Sequence, residues 1–244
     1  MQGQLTALDI DAEVVAVAVG TEHGPEAAAR QARYAALTQA ADRFGADLVL
    51  LGHTLDDQAE TVLLGLARGS GTRSLAGMAP VRDVFARPLL GLRRSVTADA
   101  CTELGLTPWQ DPHNDDPAYA RVRVRRRVLP VLEAELGPGV AAALARTADQ
   151  LRDDADLLDR LAAEAYPRVL GAAGLDCAAL VGLDPSLHRR VLRRYLIERG
   201  AREVTAAHLD AAAVLLEGWR GQHGVDLPGV RVVREHGVLR AVAG

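Results

Sequence analysis

Residues 48–61 read LVLLGHTLDDQAET, and the reading of this stretch decides the fold. An apolar run, Ala46–Gly52, has the length and composition of a buried strand and stops at Gly52-His53. Thr54 then stands where a helix cap is wanted, with Asp57 three residues on as in a capping box. Leu55, Ala59, Val62, Leu63 and Leu66 recur at helical spacing and predict a buried stripe on a helix from Leu55 to Ala67, closed by Gly69 and Gly71. A strand running directly into a helix gathers polar groups at the carboxyl end of the strand, where open α/β sheets bind ligands. Here those groups are His53, Asp56, Asp57, Glu60 and Thr61.

The flanking sequence extends this pattern. Residues 1–12 read as the end of a helix and a turn, and Glu13–Val19 (EVVAVAV) as a buried strand. His23-Gly24-Pro25-Glu26 opens a helix to Phe44, with Pro25 placed early, where its missing N–H costs little, and Gly45 ending it. Strand, helix, strand, helix predicts an α/β domain built on a parallel sheet with right-handed crossovers. Downstream come a glycine-rich loop to Gly77, an extended segment Val81–Leu90, a helix Arg93–Leu104, a polar loop Pro108–Pro117, and a helix from Arg121 that Pro130 bends. A long helix follows over 140–169, with Leu144, Leu151, Leu158 and Leu161 as its stripe. Two more helices, Pro185–Arg199 and Thr205–Trp219, and a hairpin tail from Val225 to Ala243 complete the chain. The division predicted is an α/β domain over 1–138 and a helical domain with a short C-terminal hairpin over 139–244.

The chain has 244 residues, 49% of them hydrophobic, which is enough for two cores. Its apolar runs are much shorter than the ~20 residues of a membrane helix. No basic region with a long apolar core opens it, so a cytoplasmic protein that does not enter membranes is expected. Cys101 and Cys177 lack metal-ligand spacing and read as buried thiols. The net charge of -4 gives no global argument for a nucleic-acid partner, so local clusters must carry one.

Two chemistries fit the acids. Asp56 and Glu60 share a helix face, and hard carboxylate oxygens suit either a magnesium ion at Asp56 and Asp57 or the ammonium of an amine substrate. His53 can contact a phosphate or assist proton transfer near neutral pH. The alternative is that acids in a first helical turn answer only the helix dipole. Arg121, Arg123, Arg125, Arg126 and Arg127 crowd seven positions, and Arg189-Arg190 belongs to a second basic cluster. Both fit contacts to an RNA backbone, or solvated helix faces paired to the acids at 153–159. Arg87, before Pro88 at a strand end, suits a phosphate or a site acid. The histidines at 23, 113, 208, 223 and 236 have no ligand-like spacing, so no zinc site is expected.

These features together resemble the tRNA(Ile)-lysidine synthase family of the PP-loop ATP pyrophosphatases, whose domain is of the adenine nucleotide alpha hydrolase-like kind. The resemblance rests on Gly24–Tyr34, Gly52-His53 through Glu60-Thr61, Arg68-Gly69-Ser70-Gly71, Gly77-Met78, Arg87-Pro88-Leu89, Asp111-Pro112 with Asn114, and Arg121, Arg125 and Pro130. It continues through Leu183–Tyr195 to Leu227-Pro228-Gly229. It implies an ATP-dependent, AMP-forming carbon–nitrogen ligase. ATP activates C2 of the wobble cytidine in the CAU anticodon of tRNA(Ile), pyrophosphate leaves, and the amine of L-lysine displaces AMP. It implies His53, Asp56, Asp57 and Glu60 as catalytic, the acids positioning either lysine or magnesium, with Asp56 and Asp57 as the candidates for Mg2+. Arg30, Arg33, Gly52, His53 and Arg87 would lie at ATP, and Arg121, Arg123, Arg125, Arg126, Arg127, Arg189 and Arg190 at tRNA.

The chain also departs from the family's pattern. The Ser-Gly-Gly-x-Asp-Ser loop after the first strand, and the His-x-Asp-His-Gly strand after it, are expected upstream of residue 1. Val122 stands where the family usually has asparagine, and Arg126-Arg127 where it has His-Glu. The expectation is a PP-loop domain lacking its first strand and loop. Its own activity would then be in question, and an exposed sheet edge would favour a homodimer. A silent tRNA-binding remnant and another PP-loop tRNA-modifying enzyme, such as a thiolase, are the competing readings.

Overall fold

The computed structural model of the chain describes residues 2–20, 25–221 and 223–243. The chain forms two units, Met1–Arg152 and Asp153–Gly244. In the first, α1 (Gln2–Ala7) is followed by an extended segment, then by α2 (Pro25–Phe44) and β1 (Val49–Leu50). The expected helix opening at His23-Gly24 lies outside the described residues. The expected buried strand at Glu13–Val19 is corrected: residues 10–20 form neither helix nor strand, and Val14 is 76% exposed. Valine-rich alternation supplies strand propensity, but a strand exists only through a ladder with a neighbour. This segment is instead tied to α2 by an ion pair, Glu13 to Arg43 at 2.9 Å.

β1 is shorter than the expected Ala46–Gly52, and the sheet it joins is mixed rather than parallel. β2 (Val81–Arg82) and β3 (Phe85–Ala86) form a hairpin, and the strand order is β1-β3-β2, with β1 parallel to β3 and β2 antiparallel to it. Asp83, at φ 54°, turns the chain back; a short polar side chain tolerates that left-handed backbone. The Val49 amide donates to the Val84 carbonyl (2.7 Å) and the Leu51 amide to that of Ala86 (2.8 Å), so β1 delivers Gly52 and His53 to the sheet's edge.

α3 (Leu55–Ala67) starts and stops where the sequence requires, and Leu55, Ala59, Val62 and Leu63 of the expected stripe lie on its buried side. Ala59 and Val62 are buried with Gln58 and Glu60, while Leu66 is 50% exposed. Burying an amide and a carboxylate on one helix is costly unless both are fully partnered. After α4 (Thr72–Leu75) and α5 (Arg94–Glu103), a 3-10 turn (Pro112–Asn114) leads to α6 (Ala120–Arg123), a π-turn (Val124–Val128) and α7 (Leu129–Glu135). The π-turn has a clear cause. Pro130 has no N–H for the Arg126 carbonyl and its ring crowds that oxygen, so the helix widens and the Leu129 amide reaches the Val124 carbonyl. Leu129 packs with Ala59 and Ala141 in this unit's core.

α8 (Val140–Val169) buries Ala141, Ala145, Ala148, Ala155, Ala162 and Ala165 rather than the expected leucines; Leu161 is 38% exposed. Small side chains let a neighbour approach more closely than leucine permits.

The second unit is mostly helical, as expected, and its strands extend beyond one hairpin. β4 (Leu170–Gly171), β5 (Gly174–Asp176), α9 (Cys177–Val181), α10 (Pro185–Glu198), α11 (Ala206–Glu217), β6 (Val225–Leu227), β7 (Val230–Glu235) and β8 (Val238–Ala243) follow one another. The strands form one antiparallel sheet in the order β4-β5-β8-β7-β6, on which Leu175, Leu180, Leu192, Tyr195, Leu196, Leu215 and Leu239 build a core with helices α9 to α11. The expected hairpin is its inner β7–β8 pair, turned by His236 and Gly237 at φ 49° and 80°, the left-handed pair that such a tight turn needs. Among the described residues no single helix is long and apolar enough to cross a membrane.

Candidate active site

The site begins where β1 ends. Thr54 caps α3, and the Asp57 carboxylate accepts from both the Thr54 amide and the Thr54 hydroxyl at 2.8 Å. With its first turn locked, α3 projects Asp56, Asp57 and Glu60 toward α5 and the π-turn. Asp56 accepts from the Arg94 amide (2.7 Å) and pairs with Arg93 (3.1 Å). Arg94 binds Asp57 at 2.7 Å and lies 3.5 Å from Glu60. Arg125 grips Glu60 through Nε (2.7 Å) and Nη2 (3.2 Å) and touches Asp57 at 3.3 Å. Glu60 is fully buried, so this forked pairing is what permits its charge. Burial pushes the Asp57 carboxyl up, but the Thr54 amide, Arg94, the Thr54 hydroxyl and Arg125 together hold it below its ordinary range. Burial likewise pulls Arg125 down, and Glu60 and the aspartates more than reverse it.

These three acids therefore face three guanidiniums. All four oxygens of Asp56 and Asp57 are engaged, and among the described residues no group of three His, Cys, Asp or Glu side chains could hold a metal ion. As arranged, Asp56 and Asp57 do not fit magnesium; they act as counter-charges that fix Arg93, Arg94 and Arg125.

On the other side of His53 the balance is reversed. Arg87 is buried between strand and loop. Its Nη1 donates to the Ala79 carbonyl (2.8 Å), its Nη2 to the Tyr34 hydroxyl (3.2 Å), and its Nε has no partner. Arg30 donates to the same Tyr34 oxygen at 3.2 Å, and both Arg30 and Arg33 lie over the Tyr34 ring. Tyr34 in turn packs edge-on against Phe85 of β3, 4.8 Å between ring centres. Arg121 reaches Thr61 at 3.3 Å and leaves its Nε buried and unpartnered. Among the described side chains no carboxylate pairs with Arg30, Arg33, Arg87 or Arg121. Burial lowers Arg30, Tyr34 offsets part of that, and the fields of Arg121, Arg33 and Arg87 lower it further. His53 is driven down to about 4, first by burial and then, against the pull of Asp57, by Arg87, Arg30 and Arg33. Its imidazole is neutral at pH 7, with Nδ1 buried and without a partner. Cations converging on unsatisfied donors call for a multiply charged anion.

Gly52 opens onto free space, and a cavity of about 700 Å³ lies against Leu55, Gln58, Arg87 and Pro88. Of the remaining expected residues, those of the first unit lie apart from this cluster. Arg123 donates to the Pro117 and Ala118 carbonyls (2.6 and 2.7 Å), Arg126 pairs with Asp115, and Arg127 is exposed on the π-turn. Arg189 and Arg190 belong to the second unit, where they pair with Asp210 (2.9 Å) and Asp159 (3.4 Å). Sequence reasoning missed Tyr34, Gln58 and Arg94 as site residues. Only Tyr34, following Arg30 and Arg33 on α2, gave a signal.

Comparison with known proteins bears on this arrangement. A family model describing a PP-loop domain matches residues 2–132, and one describing the TilS substrate binding domain matches residues 175–240. The first match overturns the expectation that the ATP-binding PP-loop is absent and that activity is in question on that account: the PP-loop domain is present in this chain. The tRNA(Ile)-lysidine synthase of Mycolicibacterium paratuberculosis is 56% identical over 236 residues, covering 94% of this chain and 72% of the relative. That of Thermobifida fusca is 55% identical over 227 residues, covering 92% and 70%. That of Leifsonia xyli is 52% identical over 228 residues, covering 91% and 69%. Among solved structures, the U34-tRNA thiolase NcsA from Methanococcus maripaludis aligns with a TM-score of 0.50 at 18% identity over 62% of this chain and 55% of its own, a likeness of fold alone.

Proposed function

The chain belongs to the tRNA(Ile)-lysidine synthase family, and we propose that it joins L-lysine to C2 of the wobble cytidine in the CAU anticodon of tRNA(Ile) at the expense of ATP. The observation that carries this reading is the convergence of Arg30, Arg33 and Arg87 on His53, with Arg121 beside Arg30 and, among the described side chains, no carboxylate paired with any of the four. Such a cluster holds a nucleotide's phosphates and takes up the charge that grows as pyrophosphate departs. In the first step the cytidine O2 attacks the α-phosphorus and the bond to pyrophosphate breaks. In the second, the lysine amine attacks C2 and AMP leaves with that oxygen, while the amine's surplus proton passes to solvent.

Arg87 is the fixed member of the anion site, because its backbone and one guanidinium edge are tied to residues 79–80 while its buried Nε has no partner. Neutral His53 serves as a hydrogen-bonding partner at the reacting phosphate; a group titrating near 4 is too weak a base to hold a proton at neutral pH. Asp57 and Glu60 act through Arg94 and Arg125, whose orientation they set. Magnesium would enter with ATP and shield its phosphates. We assign the chemistry to the domain over 1–138 and the positioning of tRNA to that over 139–244. Arg123, Arg126 and Arg127 would approach the RNA backbone in the cytoplasm, where the reaction would take place.

The test is ATP- and tRNA-dependent incorporation of labelled lysine. The unmodified chain should be active, and Arg87→Ala should lose about 100-fold or more in kcat/KM, the usual scale for removing one donor to developing charge. An Arg87→Ala enzyme as active as its parent would remove the basis of this assignment.

A further inference from the structure

Arg87 does not aim itself. Its Nη1 rests on the Ala79 carbonyl and its amide on the Pro80 carbonyl, both at 2.8 Å, so its direction is inherited from the turn over 76–80. That turn is held from α3 by Gln58, 1% exposed, whose amide closes a two-bond clasp on Met78: Oε1 accepts from the Met78 amide (2.8 Å) and Nε2 donates to the Met78 carbonyl (3.0 Å). Arg152 adds a donor to the Met78 carbonyl at 2.9 Å. The fit is close. Gly77 sits at φ +62°, and a Cβ there would stand 2.5 Å from Gln58 Oε1. Met78, one residue before the carbonyl that seats Arg87, is itself buried. A buried amide that satisfies both its donor and its acceptor on one residue of another segment fixes that segment in a single register.

We infer that Gln58 is a positioning residue for nucleotide binding, setting the direction of Arg87 through Met78 and Ala79. This rests on the reading that Arg87 meets the phosphates. α3 then has two tasks on two faces: Asp57 and Glu60 orient Arg94 and Arg125, and Gln58 orients Arg87. A misplacement of even an ångström at such a group can cost on the order of 100-fold in rate.

The experiment compares Gln58→Met, of similar length without the clasp, with Arg87→Ala and with the double variant, by lysine incorporation at varied ATP and varied lysine. Expected is a rise of about tenfold in KM for ATP in Gln58→Met, with KM for lysine unchanged. In the Arg87→Ala background the same change should add less than about twofold, since two residues acting as a unit are not additive. Multiplicative effects, or an unchanged KM for ATP in Gln58→Met, overturn the inference. If Gln58→Met does not fold, Gln58→Glu decides by equilibrium ATP binding. The protonated acid regains the donor to the Met78 carbonyl, so affinity lost at pH 8 should recover toward pH 6 more than the parent's does. A pH profile parallel to the parent's overturns the inference. A raised KM in Arg87→Ala beside parent-like Gln58 variants sinks this inference alone; an unaffected Arg87→Ala sinks the site assignment with it.

Discussion

Replacing Arg125 by methionine should cost far more stability than removing a surface charge. The variant leaves Glu60, fully buried, without the fork that binds both its oxygens, and Asp57 with one guanidinium fewer. Breaking a buried ion pair from one side costs about 3–5 kcal/mol. Two features reduce that here. The Arg125 side chain is 26% exposed, so water screens part of the pair, and Arg94 stays within 3.5 Å of Glu60. About 2–4 kcal/mol remains, or a fall in Tm of about 5–12 °C for a protein of this size. The assay is thermal unfolding followed by circular dichroism on the parent, Arg125→Met, Glu60→Gln and the double variant. Because the double variant buries no unpaired charge at this position, it should be more stable than the two losses summed by at least about 1 kcal/mol. A single variant melting within about 2 °C of its parent, or a cycle additive within about 0.5 kcal/mol, would refute the claim that Glu60 depends on this fork.

Other outcomes follow from the same geometry. The His53 imidazole should titrate near 4 by NMR in the free protein and shift upward when pyrophosphate enters the cluster, because an anion offsets the arginine fields; an unmoved titration would separate His53 from the anion site. Its depressed value also sets a sign. The unfolded chain binds a proton near 6.5 and the folded one does not until about 4, so stability should fall as pH drops through that window, and less so in His53→Gln. Asp57, held low when folded, contributes stability that is present above its ordinary range and lost only as pH falls through its folded value. Removing Arg94 should move that acid limb of the unfolding profile upward. Gly77→Ala meets both a left-handed backbone and Gln58, and should cost about 1–3 kcal/mol by denaturant unfolding.

The parts of the fold legible in the sequence are those whose cause is local. α3 begins at a capping box and ends at glycines, and both ends fall where residues 54–69 place them. The second unit's β4 and β5 are two and three residues long, too short for any alternation to register. Glu13–Val19 carries a strand's composition, but pairing is a property of the neighbour as much as of the segment. On α8 a ranking by hydrophobicity selects leucine, whereas the buried face selects size, and alanine fills it. The site divides in the same way. The acids of α3 and the lone Arg87 are visible as motifs because they lie close in sequence. Tyr34 and Gln58 are not: one serves Arg30 on its own helix and Arg87, 53 residues away beyond β3, and the other clasps a loop 20 residues away. Nothing in an isolated glutamine announces a clasp.

The widened turn at Val124–Val128 has one more consequence. It stores one residue more than an α-helix of the same rise would hold, so a deletion within it would be absorbed silently, the helix closing to regular geometry with little change in helical content. The extra residue is taken up by the local widening, so the helical segments on either side would keep their azimuths and Arg121 would still meet Thr61. What changes lies inside the turn: Arg125 would leave the place from which it grips Glu60 and touches Asp57. In this segment, then, chain length acts as a coding element in its own right: a frame-preserving loss of a single codon could disarm one side chain while its neighbours stay in register.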